Sequence, residues 1–169
     1  MNPQHKTNNP NKFTPLKILN KHEKEEIEKS LNEQFGIKKV EGIIVQKGKE
    51  RLFLFTGSFN EKGIKKLEED IIIERTGIYF AKIVPGENAI KLSIEGTQFL
   101  KDQIKKNTFS LNSEQAKKWM EGSELQIKTG KRGFLAIKHG PDFLGVGKAS
   151  EEKIGNFIPK SRRLRVRGS

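Results

Sequence analysis

Gly133-Phe-Leu-Ala-Ile-Lys-His-Gly-Pro-Asp-Phe-Leu-Gly-Val-Gly-Lys-Ala-Ser150 decides how this chain is read. Short β-runs alternate there with glycines placed where a backbone must come close to something. The basic tail Lys160-Ser-Arg-Arg-Leu-Arg-Val-Arg167 follows, with five cationic side chains and no acidic one. A compact β-module carrying focused positive charge is suited to a polyanion, and the first expectation is nucleic acid.

The whole chain supports that bias. Its 169 residues carry a net charge of +12 and an isoelectric point near 9.8, which favours anionic partners. The absence of cysteine excludes disulfides, thiolate catalysis and Cys-ligated zinc. No run approaches the roughly 18 apolar residues of a membrane span, and Met1-Asn-Pro-Gln-His-Lys6 lacks the apolar core of a secretory signal, so a cytoplasmic protein with no membrane partner is expected.

Upstream of the module the pattern mixes helices and strands. Residues 1–12 are polar and contain Asn-Pro twice, which predicts a flexible arm. Asn20 with Glu23 forms a capping signal for a helix bearing Ile27, Leu31 and Phe35 and stopped by Gly36. Ile37 to Val45 and Leu52 to Thr56 flank Lys47-Gly48-Lys49 as a hairpin. Ser58-Phe-Asn-Glu61 is a capping box for a second helix carrying Ile64 and Leu67. Strands are then expected at Ile71–Arg75, Ile78–Val84 and Ile90–Ile94, and a third helix should carry Phe99, Leu100 and Ile104. Lys105-Lys106-Asn107 interrupts the periodicity, placing a boundary between an α+β domain of residues 13–107 and a second domain of residues 108–167.

The second domain reads as short elements: a strand at Thr108–Leu111, a small helix capped by Asn112, a strand at Leu125–Ile127, a Thr129-Gly130 hairpin, and strands at Phe134–Ile137 and Phe143–Gly147. Short strands joined by tight turns suit a closed or nearly closed barrel. Gly145 and Gly147 fit either tight packing at a barrel corner or close approach of a ligand. Trp119 and Phe134 read as core, and Phe143, beside Pro141-Asp142 on an expected loop, is the better candidate for stacking on a base.

Ser113-Glu-Gln-Ala-Lys-Lys-Trp-Met-Glu-Gly122 leading to Glu124-Leu-Gln-Ile127, then Gly133-Phe-Leu-Ala-Ile137 and Leu144-Gly-Val-Gly-Lys-Ala-Ser150, resembles a PUA domain, the RNA-binding pseudobarrel named after pseudouridine synthases and archaeosine transglycosylases. Leu111-Asn-Ser-Glu114 stands where many such domains open with Pro-Gly-Val. The first half resembles the pre-PUA domain of the two-domain ribosome-biogenesis proteins that include the assembly factor Nip-seven, in its archaeal form. A related group is tied to the Sun/Fmu family of RNA cytosine methyltransferases. The resemblance implies an α+β fold, a mixed α/β pre-PUA domain followed by a PUA-like β pseudobarrel. It also implies ribosomal RNA as partner, together with pre-ribosomal proteins or an RNA-modifying enzyme, and a basic PUA surface as the contacting one.

The candidate RNA-binding residues are Lys131 and Arg132 at the expected hairpin tip, then Lys148, Lys153, Lys160, Arg162, Arg163 and Arg165. Arginine can grip phosphate bidentately and lysine acts as a point charge. If Leu164 and Val166 face inward on a closing strand, Arg163, Arg165 and Arg167 alternate outward as a ridge. A charge-guarded edge strand and, at Lys131-Arg132, an ordinary solvated turn are the alternatives.

No catalytic constellation competes. Gly145-Val-Gly-Lys148 lacks both the first glycine and the Ser or Thr of a phosphate loop, since Asp142 and Ala149 occupy those places. His5, His22 and His139 share no metal-ligand spacing, and His139 beside Gly140 reads first as a turn residue, with a phosphate contact or no role as the alternatives. The expectation is a non-catalytic RNA-binding protein without cofactor or metal. An RNA-guiding accessory subunit and a protein-binding adaptor are the other two readings.

Overall fold

The computed structural model describes residues 16–57, 60–63, 66 and 77–165. The expected arm at residues 1–12, the Ser58 cap, Ile64, Leu67 and the strand at Ile71–Arg75 lie outside them. Among the described residues the chain is α+β, with one five-stranded and one four-stranded sheet.

The first sheet holds β1 (Leu16–Ile18), β2 (Ile43–Lys47), β3 (Arg51–Phe55), β4 (Ile78–Val84) and β5 (Ala89–Leu92), antiparallel and in that order. Helix α1 (Lys21–Phe35) starts as its sequence dictates, with Asn20 accepting from the Glu23 amide and Glu23 from the Asn20 amide. It ends at Gly36, whose φ of 79° frees the last turn to close. Ile27, Leu31 and Phe35 form its buried stripe. Each such side chain contributes about 1.5–3 kcal/mol on burial. Gln34 docks the helix onto edge strand β5: its amide accepts from Ile90 N–H at 2.7 Å and donates to Ile90 C=O at 3.1 Å.

Two strands differ in extent from expectation. Ile37 and Val40 are buried but precede β2. Side chains there replace the strand ladder, with Lys38 and Lys39 N–H donating to Gln103 and Val40 N–H to Glu28. Ile94 does not end β5. It is the first residue of α2 (Ile94–Phe99), because Ser93 caps that helix by accepting from Gly96 N–H. Phe99 lies exposed, while Leu100 and Ile104 are buried around the short 3₁₀ turn Lys101–Gln103.

The second sheet holds β6 (Thr108–Ser110), β7 (Gly133–His139), β8 (Asp142–Ala149) and β9 (Ile154–Asn156) in order. β6 runs parallel to β7, since α3 (Ser113–Met120), capped reciprocally by Asn112 and Gln115, lies between them in the chain. Leu125–Ile127 is not a strand. Leu125 makes a single bridge to Ile154. The Gly133–His139 run is apolar without alternation because both its faces are covered. Phe134 and Ala136 join the core of the first sheet, whereas Leu135 and Ile137 pack with Trp119 and Ile154. Lys105 and Lys106 N–H both donate to Phe35 C=O, and Asn107 to Gln34 C=O, fastening the connection between the sheets to the end of α1.

β7 and β8 carry a bulge. Leu144 and Gly145 stand opposite Ile137 alone, and Gly145 takes a φ of 88°, the left-handed geometry such a bulge requires.

Candidate nucleic-acid interface

Glycine in the β8 stretch answers to packing. A Cβ on Gly147 would come within 2.5 Å of Ile154 and 2.7 Å of Trp119, and one on Gly145 within 3.2 Å of Ile94. Gly147 is closed by these side chains, whereas Gly145 packs on Ile94 and also borders a hollow of about 140 Å³. Phe143 is likewise a correction: it lies on β8, not on a loop, and is buried in the first core with Gln98 donating to its carbonyl. His139 ends β7, its Nδ1 2.9 Å from Leu111 C=O.

The eight predicted basic residues do not form one ridge. Four are held by carboxylates: Arg132 by Glu151, Lys148 by Glu87 at 2.6 Å, Lys153 by Glu124 at 2.5 Å and Arg162 by Glu95 at 2.6 Å. Lys131 and Arg132 are exposed on the loop preceding β7, not at the tip of a hairpin, because Leu125 pairs with β9 instead. The Thr129 hydroxyl accepts from the Lys131 amide at 3.1 Å and shapes that loop.

The closing strand expected near residue 164 is absent among the described residues. Lys160–Arg162 is a 3₁₀ turn following Pro159, and Leu164 points outward, 54% exposed. Its amide donates to Met120 C=O, so the chain runs along the end of α3 rather than beside a strand. Arg163 is thereby turned inward: its Nε donates to Ile158 C=O at 3.1 Å, and its guanidinium lies where a Cβ on Gly122 would sit within 2.3 Å. It is a structural clasp. Val166 and Arg167 lie outside the described residues. Lys131, Lys160 and Arg165 remain exposed and, among the described residues, have no carboxylate within ion-pair distance.

A groove that the sequence reading did not single out lies where the two sheets meet. Phe157, 41% exposed, packs tilted against Phe134 with ring centroids 6.1 Å apart, and Lys91 Nζ stands 4.3 Å above its ring. On one side Phe157 shares a hollow of about 200 Å³ with Lys82, Lys91 and Lys148. On the other it shares one of about 140 Å³ with Tyr79, Lys91 and Arg162. Burial, reinforced by Lys82, makes the Lys91 ammonium easier to deprotonate than usual. Burial likewise raises the pKa of the Tyr79 phenol, against the pull of Lys82 and Arg51. Exposed aromatics beside cations are what single-stranded nucleic acid binds. Phe157 and Lys91 are far apart in sequence, and Asn156-Phe-Ile-Pro159 reads alone as an apolar run, so only the fold reveals the pair.

No helix among the described residues is long and apolar enough to cross a membrane. None of the curated proteins matches the chain. The second sheet, its helix α3 and the clasp at Arg163 together fall within residues 106–164, which match the family described as the methyltransferase RsmF PUA domain: the C-terminal part of this chain is a PUA domain of the RsmF/Sun methyltransferase type.

Proposed function

We propose that this chain is a non-catalytic RNA-binding protein acting on ribosomal RNA, in ribosome biogenesis or RNA modification, through the PUA domain. PUA domains are generally RNA-binding modules, and the match over residues 106–164 carries the reading. It is supported by the net charge of +12 and by the exposed cations Lys131, Lys160 and Arg165. The reading includes a pre-PUA domain over residues 13–107 of the archaeal Nip-seven-like type, a PUA pseudobarrel from residue 108 and a cytoplasmic setting. Pre-ribosomal proteins or an RNA-modifying enzyme would be the protein partners.

Phosphate neutralisation supplies most of the affinity in such a complex, and shape or a few stacked bases supply the selectivity. The ion pairs at Arg132, Lys148, Lys153 and Arg162 would have to open or share their cation for those residues to take part. Lys131, Lys160 and Arg165 can engage phosphate at once.

The test is fluorescence anisotropy of a labelled ribosomal RNA transcript titrated with the full chain between about 50 and 200 mM potassium chloride. Affinity should fall log-linearly with salt. Binding that is undetectable or indifferent to salt overturns the reading.

A further inference from the structure

A row of four cations crosses the first sheet. Lys47 on β2 is the direct cross-strand partner of Arg51 on β3, Arg51 of Lys82 on β4, and Lys82 of Lys91 on β5. Direct partners project from the same face at about 4.8 Å per strand, so the row is about 14 Å long.

Like charges placed directly opposite one another destabilise a sheet. This arrangement repeats the juxtaposition three times in succession. Glu50 offsets part of it through its ion pair with Lys82 at 2.7 Å. Lys91 has no carboxylate within ion-pair distance among the described residues and rests on the ring of Phe157 instead. Lys91 therefore meets the groove as a cation without a carboxylate partner among the described residues, beside Lys148, which Glu87 holds. There Lys148 and Phe157 of the PUA domain meet Lys82 and Lys91 of the first sheet.

We propose that the row Lys47, Arg51, Lys82 and Lys91, with Phe157 at its end, binds an unpaired stretch of RNA, phosphates along the cations and a base against the Phe157 ring. The inference rests on the RNA-binding reading and extends it from Phe157 of the PUA domain onto the first sheet. An unpaired strand is the occupant that fits, because its bases are free to splay out and stack on an aromatic side chain, whereas duplex bases are turned inward. Charge on the row selects a polyanion, and the exposed ring selects one with accessible planar bases. Lys91 would leave the ring as the base arrives and pair with a phosphate.

The experiment uses the full chain with two fluorescein-labelled probes, an oligouridylate of about 12 nucleotides and a blunt RNA duplex of the same length. The double variant Arg51→Gln, Lys91→Gln should bind the oligouridylate about five- to tenfold more weakly, and its salt slope should fall by about 1.4, the single-strand value for two phosphates. Its duplex affinity should change less. Its melting temperature should not drop, since the substitutions relieve repulsion. Phe157→Ala should weaken the oligouridylate by about fivefold or more, and Phe157→Tyr should restore it. Unchanged oligouridylate affinity in the folded double variant overturns the inference. If Lys160→Gln, Arg165→Gln weakens binding while Arg51→Gln, Lys91→Gln does not, this inference fails and the PUA reading stands. If the unaltered chain binds neither these probes nor the ribosomal transcript, both fail.

Discussion

The indole N–H of Trp119 donates to the carbonyl of Leu144 at 3.0 Å, joining helix α3 to the bulge between β7 and β8. A bulge leaves a residue out of the strand ladder, and here the buried Trp119 side chain supplies the missing partner. Trp119→Phe should therefore destabilise the chain by about 1–3 kcal/mol, through the unsatisfied carbonyl and the lost ring volume. Urea unfolding followed by circular dichroism measures it. Fluorescence would not serve, as the chain has no other tryptophan.

Neighbouring glycines on paired strands should respond oppositely to the same change. Gly147→Ala drives a methyl into Trp119 and Ile154 and should cost about 1–3 kcal/mol. Gly155→Ala meets only Lys148 C=O at 3.6 Å and a Glu124 carboxylate oxygen at 3.8 Å, which are ordinary contacts, and should be tolerated. Equal losses in the two variants would contradict the packing account of Gly147.

Two arginines separated by one residue should divide their effects. Arg163→Ala removes a hydrogen bond to Ile158 and the contact over Gly122, so it should lower the melting temperature. Arg165→Ala should leave melting unchanged and reduce the salt slope for unpaired RNA by about 0.7, one phosphate contact. Paired thermal melts and anisotropy titrations on the two variants separate these outcomes.

Tyr79 is the chain's sole tyrosine, so its ionisation can be followed directly by ultraviolet absorbance. Burial holds the phenol's pKa above its usual 10.0. The folded chain should therefore titrate at higher pH than the urea-unfolded chain. For an acid group raised on folding, its contribution to stability is fully present below the unfolded pKa and is lost as pH rises through the folded one. Coincident folded and unfolded midpoints would show the ring to be solvated.

Local signals were legible in the sequence wherever a few residues settle the matter. The Asn20–Glu23 cap, the Ile27, Leu31, Phe35 stripe, the hairpin around Gly48 and the helix capped by Asn112 all appear as read. What escaped reading depends on partners distant in the chain. Leu125 fails to form a strand because Ile154 offers it only one bridge, and Phe143 is buried because the first sheet supplies its surroundings. Arg163 turns inward because Met120 captures the next residue's amide. The cation row on the first sheet was equally hidden: Lys47, Arg51, Lys82 and Lys91 are spread along the chain, and only strand register sets them in line.

Phe134, Ala136, Phe143 and Val146 lie within the PUA domain yet complete the core built by α1 and the first sheet. Severing the chain after Asn107 would leave the trailing fragment with a raw apolar wall, inviting self-association instead of clean isolation. A ligand held by one half would therefore meet the other across a seam of shared apolar side chains.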